Sequence, residues 1–181
     1  MGWIIAIIVV IVLFVIITYN SLIVKRNQVK NGWYQIDVQL KRRYDLIPNL
    51  VETVKGYAAH EKEVLEKVAE LRSVALGAKT PSDVAKVNDQ LTAALKTLFA
   101  VAENYPALKA NENFLRLQEE LSATENKIAF ARQFYNDVVM SYNIAIQRFP
   151  SNIIAGIFRF TPQDFYSIPE AEKEPVKVKF V

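Results

Sequence analysis

The chain has 181 residues with 22 basic and 19 acidic side chains, a net charge of +3, one histidine and no cysteine. The missing cysteines exclude a disulfide framework, thiolate metal sites and a cysteine nucleophile, and one histidine is too few for a paired di-iron motif. Five glycines and seven prolines do not suit a collagenous, low-complexity or turn-rich β protein. Half of the residues (51%) are hydrophobic, but 20 of the first 24 are apolar and none of those 24 is charged. The remaining 157 are about 46% apolar, ordinary for one soluble domain.

Residues 3–24 carry no charge and are rich in Ile, Val, Leu and Phe. As a helix they reach about 33 Å, which matches a hydrocarbon layer of about 30 Å. Trp3 and Tyr19 suit its two interfaces. No basic residue precedes the run and no A-x-A site follows it, so an uncleaved anchor is expected and not a signal peptide. Lys25, Arg26 and Lys30 follow, then Lys41, Arg42 and Arg43, with no acid before Asp37. That excess predicts a cytoplasmic domain on the inner membrane with the amino terminus outside.

Beyond the anchor, helical periods dominate. Steps of four and three from Val29 pass through Trp33, Ile36, Leu40, Arg43, Ile47, Leu50, Val54, Tyr57, Glu61, Val64, Val68, Leu71 and Ala75, twelve of fourteen apolar. This reads as one helix continuing from the anchor, or two nearly collinear ones, with Pro48 as a kink and Gly56 as a weak point. Gly77 suits a stop, and Thr80, Pro81 and Asp83 form an explicit start. A second helix carries Val84, Val87, Leu91, Ala94, Leu98, Val101 and Tyr105 up to Pro106. A third begins near Asn111 and follows Phe114, Leu117, Leu121, Thr124, Ile128, Ala131, Tyr135, Val138, Tyr142, Ala145 and Phe149.

The predicted fold is all-α: a transmembrane helix leading into an up-and-down antiparallel bundle of three long helices, or four if the first one breaks. Residues 1–24 are the anchor, 25–152 the bundle and 153–181 a tail. A reversal at Pro106, the reading favoured from the sequence, ends the tail far from the membrane; a mere kink there returns it to the bilayer. Beyond Pro169 the tail is charged and is expected to be poorly ordered.

Five runs stand out: Trp33-Tyr34-Gln35-Ile36-Asp37-Val38-Gln39-Leu40-Lys41-Arg42-Arg43-Tyr44-Asp45-Leu46-Ile47-Pro48-Asn49-Leu50-Val51, Tyr105-Pro106-Ala107-Leu108-Lys109-Ala110-Asn111, Leu117-Gln118-Glu119-Glu120-Leu121, Thr124-Glu125-Asn126-Lys127-Ile128-Ala129 and Phe149-Pro150-Ser151-Asn152. Together they resemble the LemA family of bacterial membrane proteins. The resemblance implies a single-pass anchor, a short outside amino terminus and a cytoplasmic helical bundle. It carries no established reaction, and a magnetosome-forming relative suggests membrane shaping by analogy.

Polar residues that interrupt the seams are the candidate sites. Arg43 sits one turn before Pro48, which has no N–H to offer the carbonyl about four residues earlier, near Tyr44. Asp45 and Asn49, with Glu125 or Asn126 of the third helix, are candidate partners for Arg43 in a buried polar cluster. Such a cluster fixes helix register or forms a mid-bundle binding pocket. Glu61 and His60 also interrupt the pattern. Glu63–Lys67 and Lys62–Glu66 have the spacing of a solvated helix face, so the row Glu63, Glu66 and Glu70 is not read as a metal site.

No cofactor, metal, catalytic set or nucleic-acid partner is expected, since no glycine-rich phosphate-binding loop or recognisable triad is present. In the tail, Ile153, Ile154, Ile157, Phe158 and Phe160 form an apolar cluster too short to span a bilayer. It reads as a flap on the bundle, or as a surface for another subunit, a partner or the membrane interface. The leading function is a non-enzymatic scaffold that contacts lipid through residues 3–24, self-associates and organises or remodels membrane. The alternative is a monomeric adaptor of a membrane protease or transporter.

Overall fold

A computed structural model describes residues 2–166, and all its regular structure is helical. The charged segment beyond Pro169 lies outside the described residues. In chain order the helices are α1 (Gly2–Lys55), α2 (Lys62–Gly77), α3 (Pro81–Ala102), α4 (Pro106–Lys109), α5 (Glu112–Gln147) and α6 (Ser151–Ile157). Two compact units share the two longest helices. One comprises residues 2–36 and 130–165, the other residues 37–129 with Tyr166.

The second unit is a four-helix bundle built from the later half of α1, α2, α3 and the first half of α5. Its first reversal is the main departure from the sequence reading. Pro48 lies inside α1, and the chain breaks later, at residues 56–61. Arg72 Nε donates to the Tyr44 carbonyl at 2.7 Å, so α2 folds back beside α1 and the two are not collinear. The chain breaks at the weak point Gly56, although the four-three period resumes after Glu61 and so suggested near-collinear helices. No cap marked the reversal, because α2 starts after Glu61 without a side-chain capping bond.

The second reversal follows its sequence signal. Thr80 Oγ1 accepts from the Asp83 N–H at 3.1 Å, and Pro81 opens α3. The third is set by Pro106 and by Asn111, whose Oδ1 accepts from the Phe114 N–H at 3.0 Å at the start of α5. Tyr105 Oη donates to Glu61 Oε1 at 2.8 Å, and Asn111 Nδ2 donates to Tyr57 Oη at 3.0 Å, tying this turn to the α1–α2 turn. Core residues Leu40, Ile47, Leu50, Val54, Val68, Leu91, Leu98 and Ile128 are buried. Each stabilises the bundle by about 1.5–3 kcal/mol relative to exposure.

In the first unit α5 runs antiparallel to the earlier half of α1. Trp33 and Tyr135 meet edge to face at 5.5 Å, and Lys25 Nζ donates to Ser141 Oγ at 2.7 Å. Gly32 makes the close approach possible: a Cβ there would lie 3.3 Å from Tyr135 Cα and 3.3 Å from Val138 Cγ2. Toward the amino end, Trp3 through Phe14 are exposed apolar side chains among the described residues. This stretch of α1 is long and apolar enough to cross a membrane.

The chain does reverse near Pro106, yet the described part of the tail ends beside the anchor. The Phe158 ring lies 4.6 Å from Tyr19. The reversal at residues 56–61 gives the four-pass alternative, in which a reversal at Pro106 brings the tail back toward the anchor. Phe149, taken as the last seam position of the third helix, falls beyond the end of α5 and is exposed.

Candidate functional site

Arg43 is the largest fully buried side chain, 2% exposed. Its Nη1 lies 2.9 Å from Glu125 Oε2, and its Nη2 donates to Thr92 Oγ1 at 2.9 Å. Thr92 in turn donates to the Asn88 carbonyl at 2.9 Å, one helical turn earlier. Asn88, itself fully buried, donates through Nδ2 to Tyr44 Oη at 2.7 Å and to the Val84 carbonyl at 2.9 Å. Tyr44 Oη donates back to Asn88 Oδ1 at 3.1 Å. The Tyr44 carbonyl, four residues before Pro48, receives Arg72. One network therefore joins α1, α2, α3 and α5.

Of the residues singled out from sequence, Arg43 and Glu125 come together, whereas Asp45, Asn49 and Asn126 are exposed. Asn126 lines the mouth of an open cavity of about 270 Å³ above Arg43, with Thr92, Leu95, Phe99 and Glu125. Asn49 lines a separate polar groove with Glu52, Arg116 and Glu120. The Tyr44 carbonyl is the one expected to lack a helical partner, whereas the Tyr44 hydroxyl, Asn88, Thr92 and Arg72 were not anticipated. The signal was present for Asn88, the lone polar residue in the four-three series Val84, Asn88, Leu91, Leu95, Leu98 and Ala102. The Arg43 guanidinium is thus held by a carboxylate on α5 and a hydroxyl on α3.

Glu61 accepts from Tyr105, and that hydrogen bond, with lesser contributions from burial and the carboxylate charge, raises the Tyr105 pKa above its ordinary value of 10.0. His60 is exposed. Lys62 pairs with Glu66 at 3.8 Å, while Lys67 turns to Glu70 at 3.0 Å.

A second polar array holds the coil after α6 against α5. Tyr142 Oη donates to the Thr161 carbonyl at 3.0 Å and Tyr135 Oη to the Asp164 carbonyl at 2.9 Å. Asn143 both donates to the Gln163 carbonyl and accepts its N–H, each at 2.9 Å. Burial raises both tyrosine pKa values; the Asp164 charge adds to the rise at Tyr135, and Arg26 opposes it at Tyr142. In the predicted interaction tail, Ile154 is buried and Phe160 half-buried, whereas Ile153, Ile157 and Phe158 are exposed.

An anchored helical bundle closed by these motifs invites comparison with known proteins. The LemA family model matches residues 32–180. The chain belongs to the LemA family. It is 29% identical over 140 residues to Protein LemA of Metamycoplasma hominis, covering 75% of this chain and 63% of that protein. It is 24% identical over 184 residues to Magnetosome protein MamQ 2 of Paramagnetospirillum magneticum, covering 87% of this chain and 68% of that protein. Magnetosome protein MamQ of Magnetospirillum gryphiswaldense is 21% identical over the same shares. The chain thus spans roughly two thirds of the length of these LemA family relatives.

Proposed function

We propose that this LemA family chain is a non-enzymatic, single-pass membrane scaffold that self-associates and organises or remodels the membrane holding it. In this reading the amino terminus lies outside and the bundle on the cytoplasmic face of the inner membrane, as the basic residues Lys25, Arg26 and Lys30 favour.

The observation that carries the reading is the continuity of α1, one helix from Gly2 to Lys55. The anchor and the first helix of the bundle thus belong to a single helical element. Exposed apolar pairs at helical spacing offer lateral contacts: Tyr34 and Val38 on α1, and Phe130 and Phe134 on α5. The anchor's Gly2-xxx-Ala6 pair lies at its extreme amino end, so association is assigned to these faces. The relatives named as magnetosome proteins are in keeping with a role in organising membrane.

Light scattering on the full-length protein in detergent tests the reading. An oligomer that becomes a monomer on the double change Phe130→Glu and Phe134→Glu supports it. A monomer in both detergent and lipid refutes it, and leaves the adaptor reading in its place.

A further inference from the structure

We infer that residues 149–158, with α6 at their centre, form a second membrane-embedded element: a short wedge inserted in the leaflet from which the bundle emerges. The inference rests on the anchor and is independent of self-association.

Depth comes first. Lys25 is the first charge after the apolar run, so it marks the headgroup level. Tyr19 lies five residues before Val24, about 7.5 Å deeper along the helix. Its ring touches Phe158 at 4.6 Å and Phe160 at 5.9 Å. On both sides of that level, Phe14, Ile17, Thr18, Ser21 and Leu22 line a cleft of about 350 Å³ together with Arg148, Phe149 and Pro150. The end of α5 and the start of α6 therefore lie beside the last turns of the span. An amphipathic segment at an interface sits about 5–10 Å into the headgroup and acyl boundary, the depth given by Tyr19.

Composition agrees with that depth. Residues 149–158 carry no charge, while Arg148 and Arg159 flank them immediately. Ser151, Ile154 and Ala155 face the protein and are buried. The outward positions are mostly apolar, with Asn152 the polar exception: Phe149 is 79% exposed, Ile157 67% and Ile153 53%. Such side chains contiguous with a membrane span have acyl chains as their natural neighbours, with the two arginines reaching back to phosphate.

The backbone agrees as well. Irregular backbone at membrane depth must have its polar groups satisfied by protein. Ser151 Oγ lies 2.6 Å from the Ala145 carbonyl and 3.0 Å from that of Arg148, which also accepts from the Asn152 N–H at 2.9 Å. At the other end of α6 the Phe160 N–H bonds the Ala155 carbonyl at 2.9 Å and the Arg159 N–H bonds that of Gly156 at 3.2 Å, a Schellman closure. Arg159 adopts φ 55° to complete it. Phe160 is thereby delivered under the Arg26 guanidinium, 5.3 Å from its ring centre.

A chain without cysteine makes the test direct. Full-length Ile157→Cys and Ile153→Cys, labelled with an environment-sensitive fluorophore, are reconstituted in phosphatidylcholine–phosphatidylglycerol vesicles. Val9→Cys reports the bilayer interior and Ser122→Cys the water. The wedge predicts quenching of both α6 labels by lipids brominated on the upper acyl chain, and iodide quenching several-fold weaker than at Ser122. Iodide quenching equal to that at Ser122 overturns it. Protection from both quenchers, with Ile157→Cys cross-linking between copies, also overturns it and makes a second copy the occupant. If Val9 too escapes the lipid quencher, the anchor fails and the wedge with it.

Discussion

Pro48 and Arg72 form a pair whose coupling has a definite sign. Pro48 offers no N–H to the Tyr44 carbonyl, and Arg72 Nε donates to that carbonyl at 2.7 Å from the neighbouring helix. Arg72→Met removes a part-buried hydrogen bond from a charged donor, costing about 1.5–3 kcal/mol. In a Pro48→Ala background residue 48 regains its N–H, and the helical bond to Tyr44 can close. The same Arg72→Met change then costs about 0.5–1 kcal/mol, the value of one ordinary hydrogen bond. The expected coupling is about 1 kcal/mol or more, measured as a double-mutant cycle. Thermal unfolding followed by circular dichroism in detergent reads it, with about 2–4 °C per kcal/mol for a chain of this size. Equal losses in the two backgrounds would refute the idea that Arg72 substitutes for the missing helical donor.

Three further outcomes follow from the same geometry. Glu125→Gln leaves the Arg43 cation buried without its carboxylate and should cost about 1–3 kcal/mol, less than a wholly buried pair because Glu125 is 37% exposed. Arg43→Met, which removes the charge itself, should cost less in the same denaturation series; the reverse order would contradict the register-lock account. Gly32→Leu should lower the melting temperature, because even a Cβ there meets Tyr135 Cα and Val138 Cγ2 at 3.3 Å, whereas Gly156→Ala, with nothing within 4 Å, should be neutral or stabilising. Finally, Tyr105, Tyr135 and Tyr142 have pKa values raised above 10.0 in the folded chain. Their contribution to stability is complete below pH 10 and is lost as pH climbs through the raised values, so unfolding should become easier above about pH 10. Ultraviolet titration should show the loss falling in Tyr105→Phe.

The helices were legible because their seams repeat with helical period and because Thr80, Pro81, Pro106 and Asn111 chemically mark their turns. The turn at residues 56–61 was legible only as a weak point at Gly56 and not as a full reversal, for a physical reason. Glu61 sits on the period as an apparent interruption of one helix, while its carboxylate in fact serves Tyr105 across the bundle. One uncapped reversal changes the parity of the passes, and so the end at which the tail emerges. Burial of Arg43 was legible from its place on an apolar seam. Asn88 left the same kind of signal on its own seam, but Thr92 and Arg72 did not, because a polar partner on another helix has no local signature.

The scaffold reading stands most directly on the assembly state of the full-length protein in lipid. Electron microscopy of proteoliposomes should show ordered, multi-copy assemblies on the vesicle surface that disperse with Phe130→Glu and Phe134→Glu. Single, unassociated bundles at every protein-to-lipid ratio would contradict it.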